Sequence, residues 1–220
     1  NAKELIELYK AGERDFSGVD LSNVNLMGVT IHNANFSNAI FNKANLEEAK
    51  ITGSELNNVD FINCNLSGAD LYCNSFEFAK FENSNLSFAD LSSSNFIQAN
   101  FINSNMNNAD LRGANLSEAD LSNADLSKAI YDSETIFPNA TNLSKLYSIS
   151  PGANLEEADL QYIDLRNVNL KGANLRNARL NNVDFRGADL SNADLTNADL
   201  TNAKLENTNF NLSNLQGVDL

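Results

Sequence analysis

The chain has 220 residues and carries 29 Asp and Glu against 15 Lys and Arg, a formal charge of −14 and a pI near 4.3. That balance disfavours direct binding to nucleic acid or to an anionic membrane, because both need basic groups to neutralise phosphates, and no apolar run approaches the ~20 residues of a spanning helix. One histidine, no tryptophan and two cysteines leave few parts for chemistry, so no catalytic residue, metal site or cofactor is expected. An apolar share of 42% argues for a folded chain, and 39 asparagines call for a structural reason.

Along the chain, residues 2–10 predict a short helix that Gly12 stops, and residues 1–13 form an N-terminal cap in which Leu5, Ile6, Leu8 and Tyr9 cover the first coil of a solenoid. From Phe16 to Tyr131 an apolar residue then recurs at every fifth position, 24 times without a miss, and from Leu155 to Leu220 it recurs 14 times more. Two residues before each of these centres stands a small residue, usually Ala, and Asp or Asn dominates the position between. A period of five fits neither an amphipathic helix nor a flat strand. It fits a short extended segment with the small residue and the centre both facing inward, ended by a turn. If each unit turns about a right angle, four units close a coil.

The repeat Ala188-Asp189-Leu190-Ser191-Asn192 and its neighbour Ala193-Asp194-Leu195-Thr196-Asn197 resemble the pentapeptide-repeat family, and the resemblance covers residues 14–133 and 153–220. It implies an all-β solenoid, a right-handed quadrilateral β-helix with 20 residues per coil. On that register the phenylalanine centres fall on two sides only. Phe16, Phe36, Phe76 and Phe96 share one, and Phe41, Phe61, Phe81 and Phe101 share the next, as stacked rings require. The segment Glu4 to Phe16 is similar to the lead-in of cyanobacterial members, and Tyr131 to Pro138 to a loop found in them.

Between residues 134 and 152 the repeat lapses, and both prolines, Pro138 and Pro151, fall there. Either Ile136 and Leu143 keep inward positions on one continuous helix, which is the favoured expectation, or the segment links two solenoid pieces. The 24-residue step from Tyr131 to Leu155 is one short of five units, so the register slips once. The chain starts without Met and stops on Leu220 without a cap, which suggests a fragment or a homodimer formed through the C-terminal coil.

His32 comes directly after an inward centre and should be a surface residue. Cys64 fills an inward small slot and Cys73 points outward, so the two do not pair and a reduced, cytoplasmic chain fits, with a mature exported form as the alternative. Asp70, Asp90 and Asp110 should form a column, most simply a solvated one. Arg166, Lys171, Arg176, Arg179 and Arg186 form a basic girdle, with Asp164 and Asp184 placed to pair with Arg166 and Arg186. Apolar residues at outward positions, namely Ile62, Phe78, Ile97 and Ile102 near the edge of the phenylalanine sides, make a candidate partner-binding patch, the alternative being scattered surface hydrophobes.

The resemblance implies a non-catalytic protein-interaction scaffold, such as a HetL-like regulatory adaptor of a cyanobacterium, whose protein partner the sequence does not name. The alternative is an acidic DNA mimic that binds a topoisomerase such as gyrase. A mimic should gather its acids on one side. In the first block the outward charge is −4 on the side bearing Asp15, Glu55, Glu77 and Glu118 and −2 on each of the others, a weak polarisation.

Overall fold

A computed structural model describes all 220 residues. The chain divides into two compact units, Asn1–Leu146 and Tyr147–Leu220.

The first unit begins with helix α1 (Ala2–Lys10). Asn1 caps it, accepting from the Glu4 amide at 3.0 Å while the Glu4 side chain reaches back in a capping box. At its end the Gly12 amide donates to the Tyr9 carbonyl and the Glu13 amide to the Leu8 carbonyl, with φ +102° at Gly12, which is a Schellman stop. Leu5 is buried and Tyr9 packs partly on the core, whereas Leu8, expected to cover the coil, faces solvent. The helix is tied to the coils by the Tyr9 hydroxyl, which accepts from the His32 amide at 3.0 Å, and by the Arg14 guanidinium, which lies 3.9 Å over the Tyr9 ring.

Beyond Arg14 the backbone forms parallel coils that pair residue n with residue n+20, as in Asp15↔Asn35, Asn35↔Glu55 and Asp70↔Asp90. Strands β1 (Thr30–His32) and β2 (Lys50–Thr52) are the stretches where that pairing runs for three residues. Within one unit the amides find partners by a fixed scheme. The centre Phe16 donates to Asn35 of the next coil and Gly18 to Ser37; Val19 closes the turn onto Phe16; Asn35 donates back to Arg14. The amide just after the centre is left, and it is taken by a side chain: Ser17 donates to Asp15 Oδ1 at 3.1 Å, Ser22 to Asp20 Oδ1 at 2.9 Å. This Asx bond is the reason for Asp or Asn before each centre. The third turn residue has positive φ, as at Asn23 (60°) and Asn58 (56°), while the second does not, which makes these type II turns and accounts for the other asparagines.

Inside, the centres from Leu21 to Leu116 are essentially inaccessible. Phe41, Phe61, Phe81 and Phe101 stack with centroids 4.8 to 5.2 Å apart, Phe76 stacks on Phe96 at 4.9 Å, and the two ladders meet edge to face, as Phe76 does with Phe81 at 5.5 Å. The small inward slots are more than filler. Cys64 Sγ donates to the Phe41 carbonyl at 2.8 Å, and its thiol is pushed up to about 12, chiefly by burial. In the opposite slot column Ala34 donates to Ser54 Oγ (3.1 Å), Ser54 to Asn74 Oδ1 (2.8 Å) and Asn74 to Ser94 Oγ (3.0 Å). The Asn74 amide group also donates to the carbonyls of Ile51 and Leu71, at 2.6 and 2.8 Å. These buried polar residues stand in the turns where the coil bonds through side chains.

The slip lies at the end of the first unit, where Asn115 pairs with Ile136, 21 residues on. Ile136 therefore takes the outward place and is half exposed, against the expectation of an inward one. Phe137 turns inward instead, edge to face with Tyr131 at 5.5 Å, and Thr135 takes the small slot and donates to the Leu111 carbonyl at 2.8 Å. Leu143 does pack partly on the core. The second unit repeats the n to n+20 pairing from Asn154↔Asn174 to Asp199↔Asp219, with leucine centres and Phe185 buried through Leu200.

Three measurements test the polar column, the cysteine placement and the Asx bonds. Asn74→Ala, which strands the Ser54 amide and two carbonyls, should cost about 2–4 kcal/mol in chemical denaturation, and Asn74→Ser clearly less. A thiol reagent should label one cysteine in the native chain, Cys73, and both in denaturant. The Asx aspartates, among them Asp15, Asp20, Asp120 and Asp199, are held below the usual carboxylate range by the Ser or Thr hydroxyl and amide two residues on. Arg186 holds Asp184 at about 2. A carboxyl whose folded pKa lies below its unfolded value stabilises fully above the latter and stops doing so as pH falls through the former. Thermal melts should thus be flat from pH 7 to 5 and drop between about pH 4 and 2. Asp110, raised by burial, works in the opposite direction as a single group.

Candidate docking surface

The side whose inward centres are Phe41, Phe61, Phe81 and Phe101 carries three outward columns. In the middle stand Ile40, Asp60, Lys80 and Asn100, paired successively through the ladder. The Lys80 ammonium sits 2.8 Å from Asp60 Oδ1, and this bond raises the lysine pKa. Along the turn that leaves the side lie Ile62, Glu82 and Ile102, one per coil: the Asn63 amide donates to the Glu82 carbonyl and the Asn83 amide to the Ile102 carbonyl, both at 3.0 Å. Along the turn that enters it stand Phe78 and Ile97, joined by the Phe78 amide donating to the Ile97 carbonyl at 3.0 Å.

Of the four residues expected to form one apolar patch, Phe78 and Ile97 are neighbours. Ile62 and Ile102 are two coils apart with Glu82 between them, so the patch is two strips flanking an ion pair rather than one continuous surface. Ile62, Ile97 and Ile102 are half-buried, and Phe78 is the most projecting, 48% exposed. Phe78 also holds φ +60°, a left-handed conformation that a bulky side chain adopts only under strain. Phe88, 63% exposed, and Tyr162 of the second unit, 75% exposed, share that conformation. The five-residue period was the signal for these outliers, since each is an aromatic at a turn position that Asn or Gly usually holds.

The candidate acidic side is not a free row of carboxylates. Asn35 separates Asp15 from Glu55 and donates to Asp15 at 3.2 Å. Glu77 accepts from Asn95 at 2.8 Å, and Glu118 from Gln98 at 2.5 Å. The column Asp70, Asp90, Asp110 forms as spaced, but Lys50 lies 3.9 Å from Asp70, Ser92 donates to Asp90, and Arg112 grips Asp110 with two nitrogens. No group of three or more His, Cys, Asp or Glu is arranged to hold a metal ion. His32 is exposed, with Nδ1 2.6 Å from Thr52 Oγ1. The four arginines of the basic girdle pair with aspartates of the same unit: Arg166 with Asp164, Arg176 with Asp194, Arg179 with Asp159, Arg186 with Asp184. No helix is long and apolar enough to cross a membrane.

A search of curated protein sequences returns no match. Among solved structures, the chain is similar to HetL, a pentapeptide repeat protein involved in heterocyst differentiation regulation from the cyanobacterium Nostoc sp. strain PCC 7120. The identity is 24%, covering 100% of this chain and 94% of that one, with a TM-score of 0.34. It is similar to alr5209, a pentapeptide repeat protein from Nostoc PCC 7120, at 32% identity over 66% of this chain and 93% of that one, with a TM-score of 0.25. It is also similar to QnrB1, a plasmid-mediated fluoroquinolone resistance protein, at 23% identity over 91% and 93% of the two chains, with a TM-score of 0.23. The sequence profile of pentapeptide repeats matches eight copies within residues 13–42, 39–72, 75–108, 94–130, 152–187 and 188–220. The chain belongs to the pentapeptide-repeat family.

Proposed function

We propose that this chain is a non-catalytic scaffold, a right-handed quadrilateral β-helix that docks a protein partner through the side flanked by Phe78 and Ile97. The carrying observation is Phe78 itself. Asn or Gly at that turn would relieve about 1–2 kcal/mol of left-handed strain, and a buried aromatic could have offset it by packing, yet Phe78 is half exposed. A strained and projecting aromatic beside a second apolar residue serves recognition better than it serves the fold. A regulatory adaptor of the cyanobacterial type is the specific form of this reading, because it needs only a rigid surface and one distinctive patch.

The acidic-mimic alternative requires carboxylates free to imitate a phosphate track. Asp15, Glu77 and Glu118 are instead held by neighbouring amides, and the net charge is −10 through residue 152 and −4 beyond it.

The test uses Phe78→Asn in the full chain, with native lysate as the source of partner. Removing the strain should raise the unfolding midpoint by roughly 2–8 °C while specific capture falls at least about tenfold, and Ile97→Asp should lose capture as well. Capture unchanged in both variants would discard this surface. A supercoiling assay with DNA gyrase supplies the other arm: inhibition at micromolar protein would overturn the scaffold reading in favour of mimicry.

A further inference from the structure

On the strip opposite Phe78, one carboxylate oxygen lacks a partner. Glu82 Oε1 accepts from Asn100 Nδ2 at 2.8 Å, but Oε2 is closed off from solvent and makes no hydrogen bond. The nearest cation on the same side, Lys80, is committed to Asp60. Above and below Glu82 in its column stand Ile62 and Ile102. A carboxylate oxygen closed off from water is costly to a folded chain unless a donor completes it. Neither isoleucine follows from the repeat, which normally places polar residues at that position. A carboxylate half-satisfied by the protein and bracketed by aliphatic groups matches a ligand with a donor head and an aliphatic stem.

We propose that the Ile62–Glu82–Ile102 strip seats an arginine side chain presented by the partner protein. The guanidinium is weakly hydrated and suits partly buried ion pairs better than an ammonium does, and its methylene stem covers the isoleucines. Glu82 as a residue is only partly buried, which leaves its side chain room to turn Oε2 toward a docked head group. Asp60 bonds Lys80 directly and Glu82 acts on the same ammonium through its charge, so two carboxylates share one cation and this side stays net negative. The proposal rests on the docking reading above and specifies the chemistry of its partner.

Isoleucine-methyl NMR of the full chain tests it, titrating acetyl-Leu-Arg-Leu-amide and acetyl-Leu-Gln-Leu-amide as probes. The expected result is saturable shifts at Ile62 and Ile102, about fivefold or more tighter for the arginine peptide. That preference should disappear in Glu82→Gln and shrink in high salt. The isosteric change keeps the fold, which the unshifted methyls of Ile31 and Ile51 verify. Equal affinity for the two peptides, or a preference that survives Glu82→Gln, overturns the arginine and leaves the docking side standing. Absence of shifts at Ile62, Ile97 and Ile102 up to about 10 mM of either peptide, a Kd weaker than the millimolar range, overturns the proposal together with its docking surface.

Discussion

One amide per five residues governs this structure. Neighbouring parallel coils supply backbone acceptors for the centre, for the third turn residue and for the residue before the next centre, and the centre's own carbonyl serves the small residue. The amide directly after the centre has none. An Asx oxygen two residues back satisfies it, at Ser17, Ser22, Ser92 and Ser122 in the first unit and Ser191 and Thr201 in the second. A backbone donor without an acceptor is expensive wherever water is scarce. The demand recurs once in every five-residue unit, so the side chain that meets it must recur with the same period. Part of the acidity of the chain is a consequence. Where the supplying residue is Asp rather than Asn the same bond is made with a charge, and that charge is distributed around the coils with the repeat.

Departures from the scheme show how it is enforced. Ser75 donates its hydroxyl to Asn57 Oδ1, one coil below, at 2.7 Å, and the same oxygen serves the Glu77 amide at 2.9 Å. Asp60 is occupied with Lys80, and Asn42 serves Ile62 in its place at 3.0 Å. Inside, Ser54, Asn74 and Ser94 replace alanine and carry their hydrogen bonds into the interior, where an unmet polar group would be costly. Stacked phenylalanines and a connected polar column both act along the axis, so each coil fixes the register of the next. At the slip, the inserted residue near Asp132 is absorbed by the same devices: Thr135 still donates to a carbonyl of the coil below and Asp132 accepts from the Gly113 amide at 3.0 Å.

The period, the inward and outward positions and the phenylalanine sides were legible in the sequence because each rests on identity at a fixed spacing. Cys64 as a small filler was equally legible, though its donated hydrogen bond was not, since that depends on a carbonyl 23 residues earlier. The break in the patch was also out of reach of a search for apolar residues alone. Ile62 and Ile102 stand out against the repeat, while Glu82 between them is an ordinary surface acid in sequence and only the structure shows its second oxygen without a partner. Leu8 and Ile136 were misplaced for one reason. Outside the repeat, an apolar residue is assigned by composition, whereas its direction is set by a helix face or by a one-residue insertion.

A scaffold built this way has little freedom to evolve a site in its interior, where any change of volume disturbs a ladder running through several coils. Its outward turn positions are different. They touch solvent, and their backbone is held by the coil whatever the side chain, so a residue that dislikes the left-handed conformation is tolerated at modest cost. Phe78, Phe88 and Tyr162 all sit there. The same turn that favours asparagine makes a projecting aromatic informative, because nothing in the fold requires it. Glu82 extends the point from apolar to charged groups: the coil fixes its backbone and leaves one oxygen unanswered, which is a specification for a partner more restrictive than exposed hydrophobicity alone.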